Sequence, residues 1–73
     1  MKLIEAKEDI SYLFMGACSE ELERELVAKG LLKSTEFKVI RNQDKMPVLI
    51  YLNEELESIN RKKAALIEVE EAF

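Results

Sequence analysis

The chain is 73 residues long, with 11 basic and 15 acidic side chains and a net charge of −4. This length fits one domain, residues 1–73, and the content of 48% hydrophobic and 36% charged residues is typical of a folded rather than a disordered chain. The acidic balance lacks the overall basic footprint of a nucleic-acid-binding protein, and no apolar run approaches the ~20 residues of a membrane span.

The small size of the chain leaves few ways to stabilise it. A domain of this length buries only about 60% of the surface that its unfolded chain exposes. Cys18 is the single cysteine and there is no histidine, which excludes a disulfide and disfavours a metal site. We therefore predict a homodimer without metal or cofactor. The lone thiol and the lack of a secretory signal predict a cytoplasmic protein, or one of the host cytoplasm if the chain is viral.

The first 15 residues have the apolar spacing of a helix that would end at Gly16. A short edge strand over Lys2–Glu5, with the helix starting near Asp9, remains an alternative. The residues that set the helical spacing are Leu3, Ala6, Ile10, Leu13 and Ala17.

A second helix is predicted over Ser19–Lys29. Ser19 is a favourable N-cap, the acidic residues that follow it complement the positive end of the helix dipole, and Gly30 fits the position after the C-cap. With the helix before it, this segment predicts an αα-hairpin.

A β-hairpin is predicted next. Phe37–Arg41 and Met46–Leu52 read as strands, and Asn42–Lys45 has the composition of a turn. The run Val48–Leu52 is apolar on both faces, which an isolated two-stranded ribbon cannot cover. It therefore predicts contact with other elements or with another subunit.

The last third predicts a long amphipathic helix that starts at Asn53 as its N-cap and includes a Glu57–Arg61 pair. Acidic residues gather at its negative end, so this end should fray unless it is packed against a partner. The predicted fold class is α+β: an αα-hairpin, a β-hairpin and a long C-terminal helix (ααββα). The apolar stripe of the last helix consists of Leu56, Ile59, Leu66, Ile67 and Phe73.

Catalytic chemistry is not predicted. Cys18 has no histidine to act as its base, the acidic residues of Ser19–Lys29 read as a solvated helix face, and no phosphate-binding glycine loop is present. We therefore expect a protein that is not an enzyme, without catalytic, cofactor-binding or metal-binding residues.

The preferred function is a small regulator that acts through protein–protein interaction. The surplus of apolar surface in the last third predicts a homodimer that also binds another protein, as an inhibitor or adaptor of phage or mobile-element origin, with no membrane contact. The predicted interface consists of Val48, Ile50, Leu52, Leu56, Ile59, Leu66 and Phe73.

The alternative function is a winged-helix-like DNA-binding transcriptional regulator. It requires a helix over Ser34–Asn42, or a basic hairpin that touches phosphates. The side chains that would contact nucleic acid are Lys33, Lys38, Arg41 and Lys45.

Overall fold

The computed structural model, which describes residues 1–73, is a five-stranded antiparallel sheet with two short helices. The strands lie in the order β4-β3-β2-β1-β5. A 3-10 helix of one turn, Leu3–Glu5, precedes them. The elements are β1 (Ser11–Ala17), α1 (Glu20–Ala28), β2 (Glu36–Arg41), β3 (Val48–Leu52), β4 (Glu55–Ile59), α2 (Arg61–Ala64) and β5 (Ile67–Glu71).

The predicted αα-hairpin is wrong, because the first helix does not form. Its apolar spacing competes with the alternation of β1, in which Tyr12 and Phe14 are buried while Leu13 lies on the other face. The Tyr12 ring stacks on Phe37, with centroids 6.3 Å apart, and its hydroxyl accepts a hydrogen bond from the Lys7 amide. Long-range partners therefore decide the conformation of this segment.

The predicted end of that helix, Gly16, lies within β1 instead. Its φ of +138° falls where the register between β1 and β5 shifts. Of the alternative over Lys2–Glu5, only Lys2 pairs with a strand, through an isolated bridge to Glu68.

The predicted helix after Ser19 is confirmed. The Ser19 hydroxyl accepts a hydrogen bond from the Leu22 amide, and Leu22 and Leu26 turn inward to the core. Gly30 follows the C-cap with a φ of +92°. The capping residues and the buried face of this segment therefore both favour a helix.

The predicted β-hairpin is also confirmed, as β2 and β3. The apolar run of β3 is covered by the chain itself, because Val48, Ile50 and Leu52 point into the core while Leu49 is half-buried and Tyr51 is exposed. Arg61 stabilises the loop of this hairpin by donating hydrogen bonds to the carbonyls of Gln43 and Met46, at 2.8 and 3.1 Å. The core contains 16 buried residues, all of them hydrophobic.

The predicted long C-terminal helix is absent. β4, the four-residue helix α2 and β5 occupy its place, so the predicted ααββα class is wrong. Asn53 does not cap a helix: Asn53 and Glu54 form a two-residue turn with φ of +52° and +66°, and Leu52 pairs with Glu55. Two positive φ values in a two-residue hairpin loop define a type I′ turn.

Glu54 generates a stability prediction, since a residue with a Cβ atom is strained at positive φ by roughly 1–2 kcal/mol. We expect Glu54→Gly to raise the free energy of unfolding, measured by urea denaturation, by about 1 kcal/mol. Glu55→Gly is the matched control, because Glu55 lies in β4 and its replacement should lower stability by about 0.5–1 kcal/mol. A loss of stability in both variants would contradict the assigned turn.

Candidate protein-docking site

The outer face of β2, β3 and β4 carries an apolar surface that the core does not use. Tyr51 and Leu56 are directly paired across β3 and β4, and Leu49 lies two residues before Tyr51 on the same face. Ile40 lies in a bulge of β2 opposite this part of β3. We call these four side chains, Ile40, Leu49, Tyr51 and Leu56, the outer patch.

The exposed fractions show that the outer patch is accessible. Leu56 is 59% exposed, Tyr51 is 45% exposed and Ile40 is 37% exposed. Paired side chains on one face of an antiparallel sheet lie about 4.5–5.5 Å apart, so Tyr51 and Leu56 form a continuous surface. Apolar residues that adjoin on a surface are typical of a protein-binding site.

Lys38 borders the outer patch on the side of β1. Its Cα partners are Tyr51 on β3 and Ser11 on β1, and it forms no ion pair. It lines a depression of about 330 Å³ with Asp9, Ile10, Ser11, Glu71 and Phe73. The outer face therefore offers apolar contact with Lys38 beside it, and Arg41, the Cα partner of Leu49, adjoins it as well.

The predicted interface residues divide into two groups. Leu56, Leu66 and Phe73 are exposed, and Phe73 is 96% exposed. The other four are buried in the chain's own core, where they cannot contact a partner without unfolding: Val48, Ile50, Leu52 and Ile59. The structure brings only Leu56 into the outer patch. The sequence analysis did not include Ile40, Leu49 and Tyr51 in the interface. Successive side chains of a strand point to opposite faces, so with Val48, Ile50 and Leu52 on one face, Leu49 and Tyr51 had to lie on the other.

The residues predicted to contact nucleic acid lie on β2 and on the loops that flank it. Lys38 lies on the outer face, Lys45 lies in the β2–β3 loop, and Lys33 lies in the loop before β2. Arg41 is partly buried, and its Nε atom is enclosed without a hydrogen-bond partner. The segment Ser34–Asn42 contains β2, so the predicted helix is wrong and the helix-turn-helix unit that needed it is absent.

An ion cluster joins the start of the chain to β5. The Glu68 carboxylate contacts the Met1 ammonium at 2.7 Å and the Lys2 ammonium at 3.0 Å. The Met1 ammonium, and next the Lys2 ammonium, hold the pKa of Glu68 below its ordinary value of 4.5. Lys2 also lies 3.3 Å from the Cys18 sulfur, and hydrogen bonds with Glu68 and then Cys18 raise the pKa of Lys2.

A second ion pair joins the two helices. The Lys63 ammonium contacts the Glu25 carboxylate at 2.6 Å, and this hydrogen bond lowers the pKa of Glu25. Near this pair, Leu66 lines a separate depression of about 230 Å³ with Leu22. No group of three or more histidine, cysteine, aspartate or glutamate side chains is arranged to hold a metal ion.

Solved structures share this fold over essentially the whole chain. The FeoA protein of Chlorobium tepidum has a TM-score of 0.87 and 27% identity, over 100% of this chain and 71% of that one. An iron uptake regulatory protein, FeoA, has a TM-score of 0.84 and 17% identity, over 96% of this chain and 93% of that one. ScaR with bound Zn²⁺ has a TM-score of 0.86 and 20% identity, over 97% of this chain but only 36% of that one.

These structures define the class as a small SH3-like antiparallel β domain, which occurs alone or as about a third of a longer protein such as ScaR. The family model described as "FeoA domain" matches residues 3–71. The chain therefore belongs to the FeoA domain family. No curated protein matches it in sequence.

Family membership corrects one prediction from the sequence. The expected phage or mobile-element inhibitor is wrong, because residues 3–71 match the FeoA domain and the fold matches FeoA proteins. None of the helices is both long and apolar enough to pass through a membrane.

The cluster around Glu68 generates a pH prediction. A carboxyl group whose pKa is lower in the folded than in the unfolded state stabilises the fold fully above the unfolded pKa, here about 4.5, and loses this effect as the pH falls through the folded pKa. We therefore expect Glu68→Gln to lower the thermal unfolding midpoint at neutral pH, with a difference from the unchanged protein that shrinks in acid. Glu70→Gln is the control, because Glu70 forms no ion pair. A difference that is constant with pH would refute this role of Glu68.

Proposed function

We propose that this chain is a small, non-enzymatic accessory protein of iron uptake that acts by docking on another protein of the uptake system through the outer patch. One observation carries the proposal: Tyr51 and Leu56 form an exposed apolar pair on the rigid outer face of the sheet. Membership of the FeoA domain family supplies the process, since a protein of the same fold is an iron uptake regulatory protein. FeoB is the partner to test, and the cytoplasm is the proposed location.

The surface chemistry of the outer patch supports a docking role. Aromatic side chains such as tyrosine supply much of the binding energy at protein interfaces when they lie at the centre of the contact. Tyr51 combines a large apolar ring with a hydroxyl, and Lys38 beside it provides a polar border. The sheet holds the backbone of these residues in fixed register, so little backbone conformational entropy is lost when they are covered.

A second copy of the chain is not needed to complete the fold. One reason for predicting a homodimer is that the apolar run of β3 needs cover, yet Val48, Ile50 and Leu52 are buried by the same chain. Homodimerisation remains a prediction that would use the exposed side chains. A different protein is the better-supported occupant of the outer patch.

The proposal predicts that Tyr51→Ser combined with Leu56→Ser weakens binding to purified FeoB by at least about tenfold in isothermal titration, because truncation of a hot-spot residue costs about 2 kcal/mol or more and tenfold corresponds to about 1.4 kcal/mol. The same variant should lower iron uptake in cells that depend on this chain. Both substitutions are on the surface, so the far-ultraviolet circular dichroism should not change.

Val27→Ser is the matched control, because Val27 is 50% exposed on α1, outside the outer patch. It should bind FeoB with unchanged affinity. If the double variant binds as tightly as the control, the outer patch is not the docking site. If the unchanged protein does not bind FeoB, this choice of partner is wrong.

A further inference from the structure

The two edges of the sheet are treated differently. The edge of β5 is covered by the start of the chain: the Val69 amide donates to the Met1 carbonyl at 2.8 Å, the Met1 ammonium donates to the Val69 carbonyl at 3.1 Å, and Lys2 pairs with Glu68. The edge of β4 has no such cover. β4 pairs with β3 alone, and none of the turn, loop or cap hydrogen bonds of the backbone involves β4.

The turn identifies which backbone groups are free. In a two-residue hairpin loop the flanking residues, here Leu52 and Glu55, form a hydrogen-bonded pair, and hydrogen-bonded pairs alternate with non-hydrogen-bonded pairs along the strands. Glu57 is thus hydrogen-bonded to β3, whereas Leu56 and Ser58 are not. The N–H and C=O groups of Leu56 and Ser58 therefore point away from the sheet.

The charge of this edge favours one kind of occupant. Glu55 and Glu57 lie on β4 on the face opposite Leu56, and neither forms an ion pair or a side-chain hydrogen bond. A strand added to β4 would place every second side chain beside these carboxylates and the others beside Leu56 and Ser58, which lie on the outer face of β4. The side chains of the added strand that lie beside Glu55 and Glu57 should therefore be basic, and those on the opposite face should be apolar.

We propose that β4 receives an extended segment of a partner protein as a sixth strand, in which basic residues that face Glu55 and Glu57 alternate with apolar residues that pack against Leu56, the member of the outer patch on the edge strand. The proposal rests on the proposed function, since it specifies how the partner engages the docking site. Main-chain hydrogen bonds to Leu56 and Ser58 would supply affinity, and the alternating side chains would supply specificity.

A second copy of this chain fits the same edge poorly. Antiparallel pairing of two β4 strands through Leu56 and Ser58 would place Glu57 of one copy opposite Glu57 of the other on the same face. Like charges directly opposite each other destabilise a strand pair. The acidic side chains of the free edge thus disfavour pairing with a second copy and favour pairing with a basic partner.

The test uses the full chain and two synthetic peptides of equal length, one alternating valine with lysine and one alternating valine with glutamate. Nuclear magnetic resonance titration should show the lysine peptide shifting the amide signals of Leu56 and Ser58, with the glutamate peptide at least about tenfold weaker. Equal affinity for the two peptides, or no binding of the lysine peptide, would overturn the proposal.

Ser58→Pro tests the main-chain contact. Proline removes the outward N–H of Ser58 and leaves the pairing of β4 with β3 intact, since proline is tolerated on the free side of an edge strand. It should abolish binding of the lysine peptide, whereas the matched Ser58→Thr variant should retain it. Undiminished binding by a folded Ser58→Pro variant would refute strand addition.

A charge-reversed variant keeps the test decisive if Ser58→Pro does not fold. Glu55→Lys combined with Glu57→Lys should invert the preference, so that the glutamate peptide binds more tightly than the lysine peptide. An unchanged preference would show that these carboxylates do not select the partner.

Two further readouts separate this proposal from the proposed function and from self-association. If FeoB binds Ser58→Pro normally but not the Tyr51→Ser/Leu56→Ser variant, the docking function stands and strand addition is wrong. If the lysine peptide binds and FeoB does not, strand addition stands and the choice of FeoB is wrong. A dimer detected by light scattering and lost in Ser58→Pro would assign the edge to a second copy and overturn the proposal.

Discussion

The need of every backbone N–H and C=O group for a partner governs this small sheet. β1, β2 and β3 satisfy that need with a strand on each side. Elsewhere single side chains and the start of the chain supply the partners. The Asn42 amide donates to the carbonyls of Ile4 and Ala6, at 3.0 and 2.7 Å, and Arg61 holds the loop that follows β2. β4 is where this pairing stops.

The proposed function follows from the position of that open edge. Leu56 belongs both to the free edge and to the outer patch, because its backbone points away from β3 while its side chain lies beside Tyr51. A partner that pairs with β4 therefore also contacts Leu56, the most exposed apolar side chain of the outer patch. One short strand could thus supply both the hydrogen bonds and the apolar contact of a specific complex.

The sequence predicted elements whose local signals agree with their tertiary contacts. The cap at Ser19 and the apolar pair of α1 predicted that helix correctly, and the turn composition after Arg41 predicted the β2–β3 hairpin. It failed in β1 and β5, where a 3-4 spacing masked a 2-residue alternation. In β5 this alternation is visible in the burial, since Ile67 and Val69 are buried while Glu68 and Glu70 point outward.

The site was harder to predict than the hairpin. The exposure of the outer face of β3 depends on the elements that surround this strand. One of them is β4, and the apolar spacing of that segment predicted a helix instead of a strand. Asn53 served equally well as a helix cap or as the first residue of a type I′ turn, because asparagine favours both. Only the pairing of Leu52 with Glu55 decides between them.

Amide hydrogen exchange in the isolated chain tests most directly whether β4 offers an unpaired edge. The amides of Leu56 and Ser58 should exchange rapidly, whereas that of Glu57, bonded to β3, and that of Val69, bonded to Met1, should be protected. Protection of Leu56 and Ser58 equal to that of Glu57 would show that the edge is already covered, and would contradict the proposed addition of a strand at β4.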